Sequence, residues 1–196
     1  MQHFAVIGLG RFGLRLARLL TQAGAEVIAI DSDREIIERI RDEVALAVRL
    51  DATNPDALRA QGVDQVDCAI VGIGTAFESA ALAVSTLKAL GVPRVIARAG
   101  GDERGAILQR IGADDIVFPE QESAMRWANR LMLPKLRDYI ELGEGQALIQ
   151  IAPPKAFLGK SLAELSLRQS YRVNLVAIRR TPERSEEHTS ELQSPN

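Results

Sequence analysis

Short apolar runs alternate with amphipathic stretches along the first 118 residues. Residues 3–8 (HFAVIG) are apolar and end in glycine, and residues 26–31 (EVIAID) form a second such run. Between them Phe12, Leu16, Leu19, Leu20 and Ala23 recur at helical spacing, the buried face of a helix over 11–23. Ile36, Ile37 and Ile40 predict a second helix over 33–42, capped by Ser32 or Asp33 and carrying Arg41 in its last turn. Residues 45–50 (ALAVRL) read as a third strand. Asn54-Pro55 opens the next helix, with proline at the first helical position, where its missing N–H costs nothing. Strands follow at 66–72, 94–98 and 114–118, with helices over about 77–90 and 102–111 that stop at Gly91 and Gly112. Strands joined one to the next by helices imply a parallel sheet covered on both faces. The near-continuous apolar strands agree, because such strands are buried on both sides. The expected fold is α/β, a Rossmann-like doubly wound parallel sheet of six strands in the order 3-2-1-4-5-6.

After Pro119 the pattern changes. Residues 120–133 (EQESAMRWANRLML) are amphipathic, with no seventh parallel strand behind them. Their stripe of Met125, Trp127, Leu131 and Met132 is either intramolecular core or a dimer face, and the second reading is preferred. LPKLRDYIEL carries the chain away, and residues 146–151 (QALIQI) begin an alternating β pattern. Pro153-Pro154 marks a loop, FLGKSLAEL a short helix, and RVNLVAIRR a strand. The expected organisation is a first domain over 1–119, a helix and linker over 120–140, and the start of a small α+β lobe over 141–183. The boundary between large and small lobe falls near 139–145. Residues 184–196 (RSEEHTSELQSPN) have no apolar periodicity and resemble the translation of a sequencing-adapter read-through, so they are set aside as non-native.

Composition narrows the function classes. Among 196 residues, 46% are hydrophobic and 26% charged, which is ordinary for a globular chain. Lys+Arg number 24 against 26 Asp+Glu, and without residues 184–196 the two are equal, so the basic excess of a nucleic-acid binder is missing. One cysteine, Cys68, and two histidines do not build a disulfide, a zinc cluster or a histidine-based metal site. Cys68 reads as a small core residue and His3 as a polar strand start. No run approaches a membrane helix, and the N-terminus enters a strand without signal-peptide regions, so the expected compartment is the cytoplasm.

The chemical signal is Gly8-Leu9-Gly10-Arg11-Phe12-Gly13, a G-x-G-x-x-G at the turn from the first strand into the first helix. The first glycine permits the tight turn, the second lets backbone approach a pyrophosphate, and the third lets helix and strand pack closely. The helix N-terminus then offers unpaired N–H groups and a positive dipole end to phosphates. Asp31 ends the second strand eighteen residues past Gly13, where a carboxylate accepts ribose hydroxyls and repels a 2′-phosphate. Asp51-Ala52-Thr53 follows the third strand; Asp51 is a candidate for adenine or ribose, and equally for a helix cap with Thr53. Gly72-Ile73-Gly74 follows the fourth strand across the topological switch point, where open α/β sheets hold ligands. Arg98 and Arg11 are candidates for phosphate, or plain solvated cations. No His, Cys or Lys–Tyr constellation suited to hydride transfer follows the sixth strand. A nucleotide-binding module without chemistry is the preferred reading, ahead of an NAD-dependent oxidoreductase fragment.

GLGRFG, VIAID with its DxDR (Asp31 to Arg34), LDAT and IGADDIVFPE together resemble the N-terminal domain of RCK proteins, regulators of potassium conductance of the TrkA/KtrA type. The likeness covers roughly residues 1–140, and LIQIAPPKAFLGKSLAEL resembles the start of that family's C-terminal domain, here cut short. The resemblance implies a non-enzymatic cytoplasmic subunit at the inner face of the cell membrane, forming dimers and an octameric ring. It implies ATP/ADP or NAD(H) as ligand and a separate membrane potassium-translocating subunit of TrkH/KtrB type as partner. By matching position, Gly8, Leu9, Gly10, Arg11, Phe12 and Gly13 would line the phosphates. Asp31, Asp33 and Arg34 would take the ribose side, Asp51, Ala52, Thr53, Gly72, Ile73 and Gly74 the adenosine side, and Arg98 the phosphate side. Arg11 would reach a γ-phosphate across a dimer. Glu120 matches a glutamate that in some members binds a cation between nucleotides; it also reads simply as a helix N-terminal acid. The helix from Glu120 to Leu133 corresponds to a crossover dimerisation helix. The soluble domain of a cation/proton antiporter is the remaining alternative.

Overall fold

The computed structural model describes residues 2–132, 136–143 and 146–178. The chain divides into two compact units, Met1–Leu133 and Pro134–Asn196. In the first, β1 (His3–Ile7), β2 (Glu26–Asp31), β3 (Leu46–Arg49), β4 (Cys68–Val71), β5 (Val95–Arg98) and β6 (Asp115–Val117) form one parallel sheet in the order β3-β2-β1-β4-β5-β6. The helices between them are α1 (Arg11–Gln22), α2 (Arg34–Ile40), α3 (Pro55–Ala60), α4 (Phe77–Ala89) and α5 (Asp102–Ile111). A sixth helix, α6 (Pro119–Met132), follows the sheet. The expected doubly wound sheet and its order are what the chain adopts.

Strand alternation sends successive side chains to opposite faces. Val6, Val27, Ala29 and Ile70 meet Ala17 of α1 and Ile37 and Ile40 of α2 on one face. Ala5, Ile7, Ile30, Ala69, Val71 and Ala97 meet Ala80, Ala83, Val84 and Leu87 of α4 and Leu108 of α5 on the other. Small alanines on the central strands face small alanines on α4, so that helix lies close to the sheet. Each fully buried Ile or Leu contributes about 1.5–3 kcal/mol relative to exposure. Helices change face between β1 and β4, which leaves a crevice at the carboxyl ends of those strands. Asp33 caps α2 by accepting from the Glu35 N–H, and Asn54 caps α3 with Pro55 at its start.

The second unit departs from the sequence reading at 136–143 and 173–178 and keeps the short helix expected in FLGKSLAEL. Residues 136–143, read as connection, form β7 (Leu136–Gly143), paired antiparallel with β8 (Gln146–Ile151). FLGKSLAEL gives a single-turn α7 (Leu162–Leu165), held by a capping box between Ser161 and Glu164, and a further short helix α8 (Leu167–Tyr171) follows. RVNLVAIRR forms no strand among the described residues: 173–178 carry no ladder, and an apolar run becomes a strand only where a neighbouring edge receives its N–H and C=O groups. Residues 184–196 lie outside the described residues.

Candidate functional site

The turns leaving β1, β2, β4 and β5 meet at the carboxyl edge of the sheet. Gly8 turns the chain out of β1 with φ of +85°, and a Cβ there would strike Ile73. Its N–H donates to the Ile30 carbonyl at 2.8 Å, and the Gly72 N–H donates to the Ile7 carbonyl at 2.6 Å. Gly13 packs on the Gly8 carbonyl so closely that no side chain fits between α1 and the turn. In front of Gly10 the space is open, with nothing within 4 Å of a Cβ placed there. Glycine at the second position thus leaves room for a ligand, while the first and third serve the protein's own packing.

α1 begins at Arg11, and the N–H groups of its first turn have no intrahelical acceptors. It alone among the six helices of this unit has no acid in that turn. The positive end of its dipole is therefore uncompensated, the arrangement that receives phosphate. Leu9 itself is a core residue, 1% exposed, and meets a ligand through backbone alone or not at all, whereas Phe12 packs only partly on the same cluster and also borders the groove beside Arg11. Arg11 is exposed at the mouth.

Asp31 sits at the end of β2. Its Oδ2 accepts the Leu9 N–H at 2.6 Å and its Oδ1 accepts the Asp33 N–H at 2.9 Å. The carboxylate thus ties the glycine turn to β2, a role that sequence pattern did not reveal, and with one N–H on each oxygen it retains capacity to accept from hydroxyl donors. Asp33 is engaged as the α2 cap, and Arg34 is largely exposed with its Nε 4.0 Å from Glu38. Neither is brought to the glycine turn by a contact.

Beyond β3, Asp51 Oδ1 accepts from both the Thr53 N–H (2.9 Å) and its hydroxyl (2.8 Å). The Thr53 backbone bond, then its side chain, holds the Asp51 carboxyl below its usual range. Asn54, not Asp51 or Thr53, caps α3, and Ala52 is buried. Asp51 lines a shallow hollow with Ser32, Arg49 and Leu50, beside the β2 end that carries Asp31. Arg49 Nε donates to the Ser32 carbonyl at 3.0 Å and fixes that wall.

On the other side of the crevice, the Arg98 guanidinium lies across Gly74, where any Cβ would collide with it. Arg98 Nη2 donates to Glu120 Oε1 at 2.6 Å, while its buried Nε has no partner among the described residues. Glu120 opens α6; its own backbone N–H, then Arg98, with Arg11 nearby, holds its carboxyl below the usual range. Arg11, Phe12, Arg15, Leu16, Leu19 and Glu120 line an open groove. Sequence spacing flagged Arg98 and Glu120 separately, but not that they pair.

A cation at Glu120 would stand beside two guanidinium groups, so it fits only once phosphates lie between them. Among the described residues, no three His, Cys, Asp or Glu side chains cluster as metal ligands. Cys68 is buried on β4, its thiol pushed up by desolvation, and His3 lies at the opposite edge of the sheet, with its N–H on Asp67. No helix among the described residues is long and apolar enough to cross a membrane.

Comparison with known proteins bears on this edge of the sheet. Residues 4–119 match the model of the TrkA-N domain. The chain is 36% identical over 182 residues to Ktr system potassium uptake protein C of Bacillus subtilis, covering 93% of this chain and 82% of that one. It is 30% identical to Ktr system potassium uptake protein A of Vibrio alginolyticus, covering 93% and 83%. Among solved structures it is similar to GsuK bound to ADP, with a TM-score of 0.57 and 28% identity over 66% of this chain and 34% of that one.

Proposed function

Because this chain belongs to the TrkA-N domain family, a family of regulatory rather than catalytic domains, we propose that it senses a nucleotide and gates a potassium-uptake channel. The channel would be a separate membrane subunit of TrkH/KtrB type, approached from the cytoplasmic face. The observation that carries the reading is the acid-free N-terminus of α1, opening onto free space at Gly10 and tied to Asp31. That arrangement fits a phosphorylated nucleoside whose ribose hydroxyls reach Asp31 and whose phosphates meet the first turn of α1.

ATP/ADP or NAD(H) satisfies this chemistry. A 2′-phosphate does not, because it would confront the Asp31 carboxylate. The ADP-bound GsuK structure supports the same choice, and the relatives named for potassium uptake support the channel. Gly8 to Gly13 would hold the phosphates, with the Asp51–Thr53 turn and the hollow beside it on the adenosine side. Gly72 to Gly74 would join the adenosine side, and Arg98 would close the phosphate side. Arg11, exposed at the mouth, would reach the terminal phosphate of a nucleotide held by a second copy. A divalent cation at Glu120 would then be shared with the phosphates.

Gating follows from differential affinity. Two nucleotides that favour different arrangements of paired domains shift the population between them, and a ring of such pairs passes that shift to the pore. Calorimetry with ATP, ADP, NAD and NADH tests the reading on the 196-residue chain. At least one should bind well below millimolar, and Asp31→Ala should abolish that binding. Arg11→Ala should chiefly remove the difference between ATP and ADP. Binding no tighter than millimolar by all four sinks the proposal.

A further inference from the structure

Arg98 and Glu120 hold each other at the place where the proposed ligand's phosphates arrive. Arg98 leaves the carboxyl end of β5, and its guanidinium crosses Gly74, part of the β4 turn that packs on Gly8. The Arg98 side chain is only 21% exposed, and its buried Nε has no acceptor among the described residues. Its outward Nη2 is taken by Glu120 at 2.6 Å. Glu120 also lines the groove that begins at Arg11. A carboxylate of the protein's own thus stands between two guanidinium groups, in the position an incoming anion would want. Two anions on one guanidinium repel each other strongly at the reduced dielectric of a partly buried site. A phosphate therefore gains Arg98 most favourably when Glu120 lets go.

Resting on the nucleotide reading above, we propose that the Arg98–Glu120 ion pair is a latch which a nucleotide phosphate opens by taking the place of Glu120 on Arg98. Glu120 belongs to the first turn of α6, so its release loosens the start of that helix. Occupancy of the crevice is then passed to the element that carries exposed Met125, Trp127, Leu131 and Met132. Glu120 is also a selectivity device: ligands with more phosphate charge displace it more readily, and an uncharged nucleoside does not displace it.

Two measurements on the full chain, both in EDTA so that no cation bridges Glu120 to the phosphates, test this: amide hydrogen exchange with ATP and with ADP, and calorimetry of wild type and Glu120→Gln. Nucleotide should slow exchange across residues 8–14 and speed it across 119–123. Glu120→Gln should bind ATP about twofold to fivefold more tightly, as expected for removal of one competing ion pair whose carboxylate is exposed, with adenosine affinity unchanged. Equal or weaker ATP binding by Glu120→Gln overturns the latch and leaves the nucleotide reading standing. So does slowed exchange at both segments. No binding and no protection of residues 8–14 in either protein overturns the nucleotide reading, and the latch with it.

Discussion

Asp31 accepts hydrogen bonds from two backbone N–H groups, one of them 22 positions earlier in the chain, while keeping lone pairs for a ligand. An acid at the end of a second strand is visible in sequence; its clasp on Leu9 is not, because it exists only once the glycine turn has folded back over β2. Glycine spacing has the same mixed legibility. The pattern says that three glycines are needed, while the geometry distinguishes the open space at Gly10 from the closed packing at Gly13. Gly13→Ala places a methyl group against the Gly8 carbonyl, backbone that cannot swing aside. Overpacking of this kind costs about 1–3 kcal/mol, to be read by urea denaturation. Gly10→Ala, facing free space, should cost less stability than Gly13→Ala but still weaken nucleotide binding. Equal stabilities for Gly13→Ala and wild type would remove the packing role assigned to the third glycine.

Periodicity and punctuation reveal elements when neighbours are supplied by the same repeating unit, as in β1 to β6. They fail where pairing is the deciding fact. Residues 136–143 carry Arg137, Asp138 and Glu141 among their apolar positions and look like connection, yet β8 gives them a partner. Residues 173–178 look more like a strand and have no partner among the described residues. Side chains that join elements are equally silent in sequence, and Asp114 is an example. It accepts the Val95 N–H at the start of β5 at 2.6 Å and Lys88 of α4 at 3.1 Å. The Val95 N–H, then Lys88, holds its carboxyl below the ordinary value of 3.8. A lowered folded-state value means stabilisation that is complete above the unfolded value and lost as pH falls through the folded one. Melting temperature should therefore drop on acidification below about pH 4. Asp114→Asn should melt lower than wild type at neutral pH, and the two curves should converge in acid. Parallel curves through the acid range would show that Asp114 does not contribute to the titration.

At the scale of the molecule, the crevice proposed for the nucleotide is lined by one chain, but α6 is left incomplete by it. This helix buries no residue; Trp127 is 57% exposed and Leu131 72%, with Met125 and Met132 beside them. Arg130 covers one face of the Trp127 ring, with its guanidinium 5.5 Å from the centroid. Isolated exposed apolar residues are common, but α6 carries four large ones after the end of a sheet, and Trp127 and Leu131, one turn apart, share a face that gains by burial. We infer that this face joins two copies of the chain. In a two-fold interface every substitution counts twice, so one charged residue there weakens association disproportionately. Each large apolar side chain fully buried contributes about 1.5–3 kcal/mol, so Trp127→Glu should raise the dimer dissociation constant by tenfold or more at roughly 1.4 kcal/mol per decade. Sedimentation velocity across a concentration series reads this directly: wild type should shift to a dimer at concentrations where Trp127→Glu stays monomeric. Because Trp127 lies two turns from Glu120, away from the glycine turn, single-copy nucleotide binding by Trp127→Glu should survive, while the ATP–ADP difference that requires Arg11 of a second copy should disappear. Identical sedimentation of the two proteins would remove α6 from the interface, and with it the route by which one nucleotide site senses another.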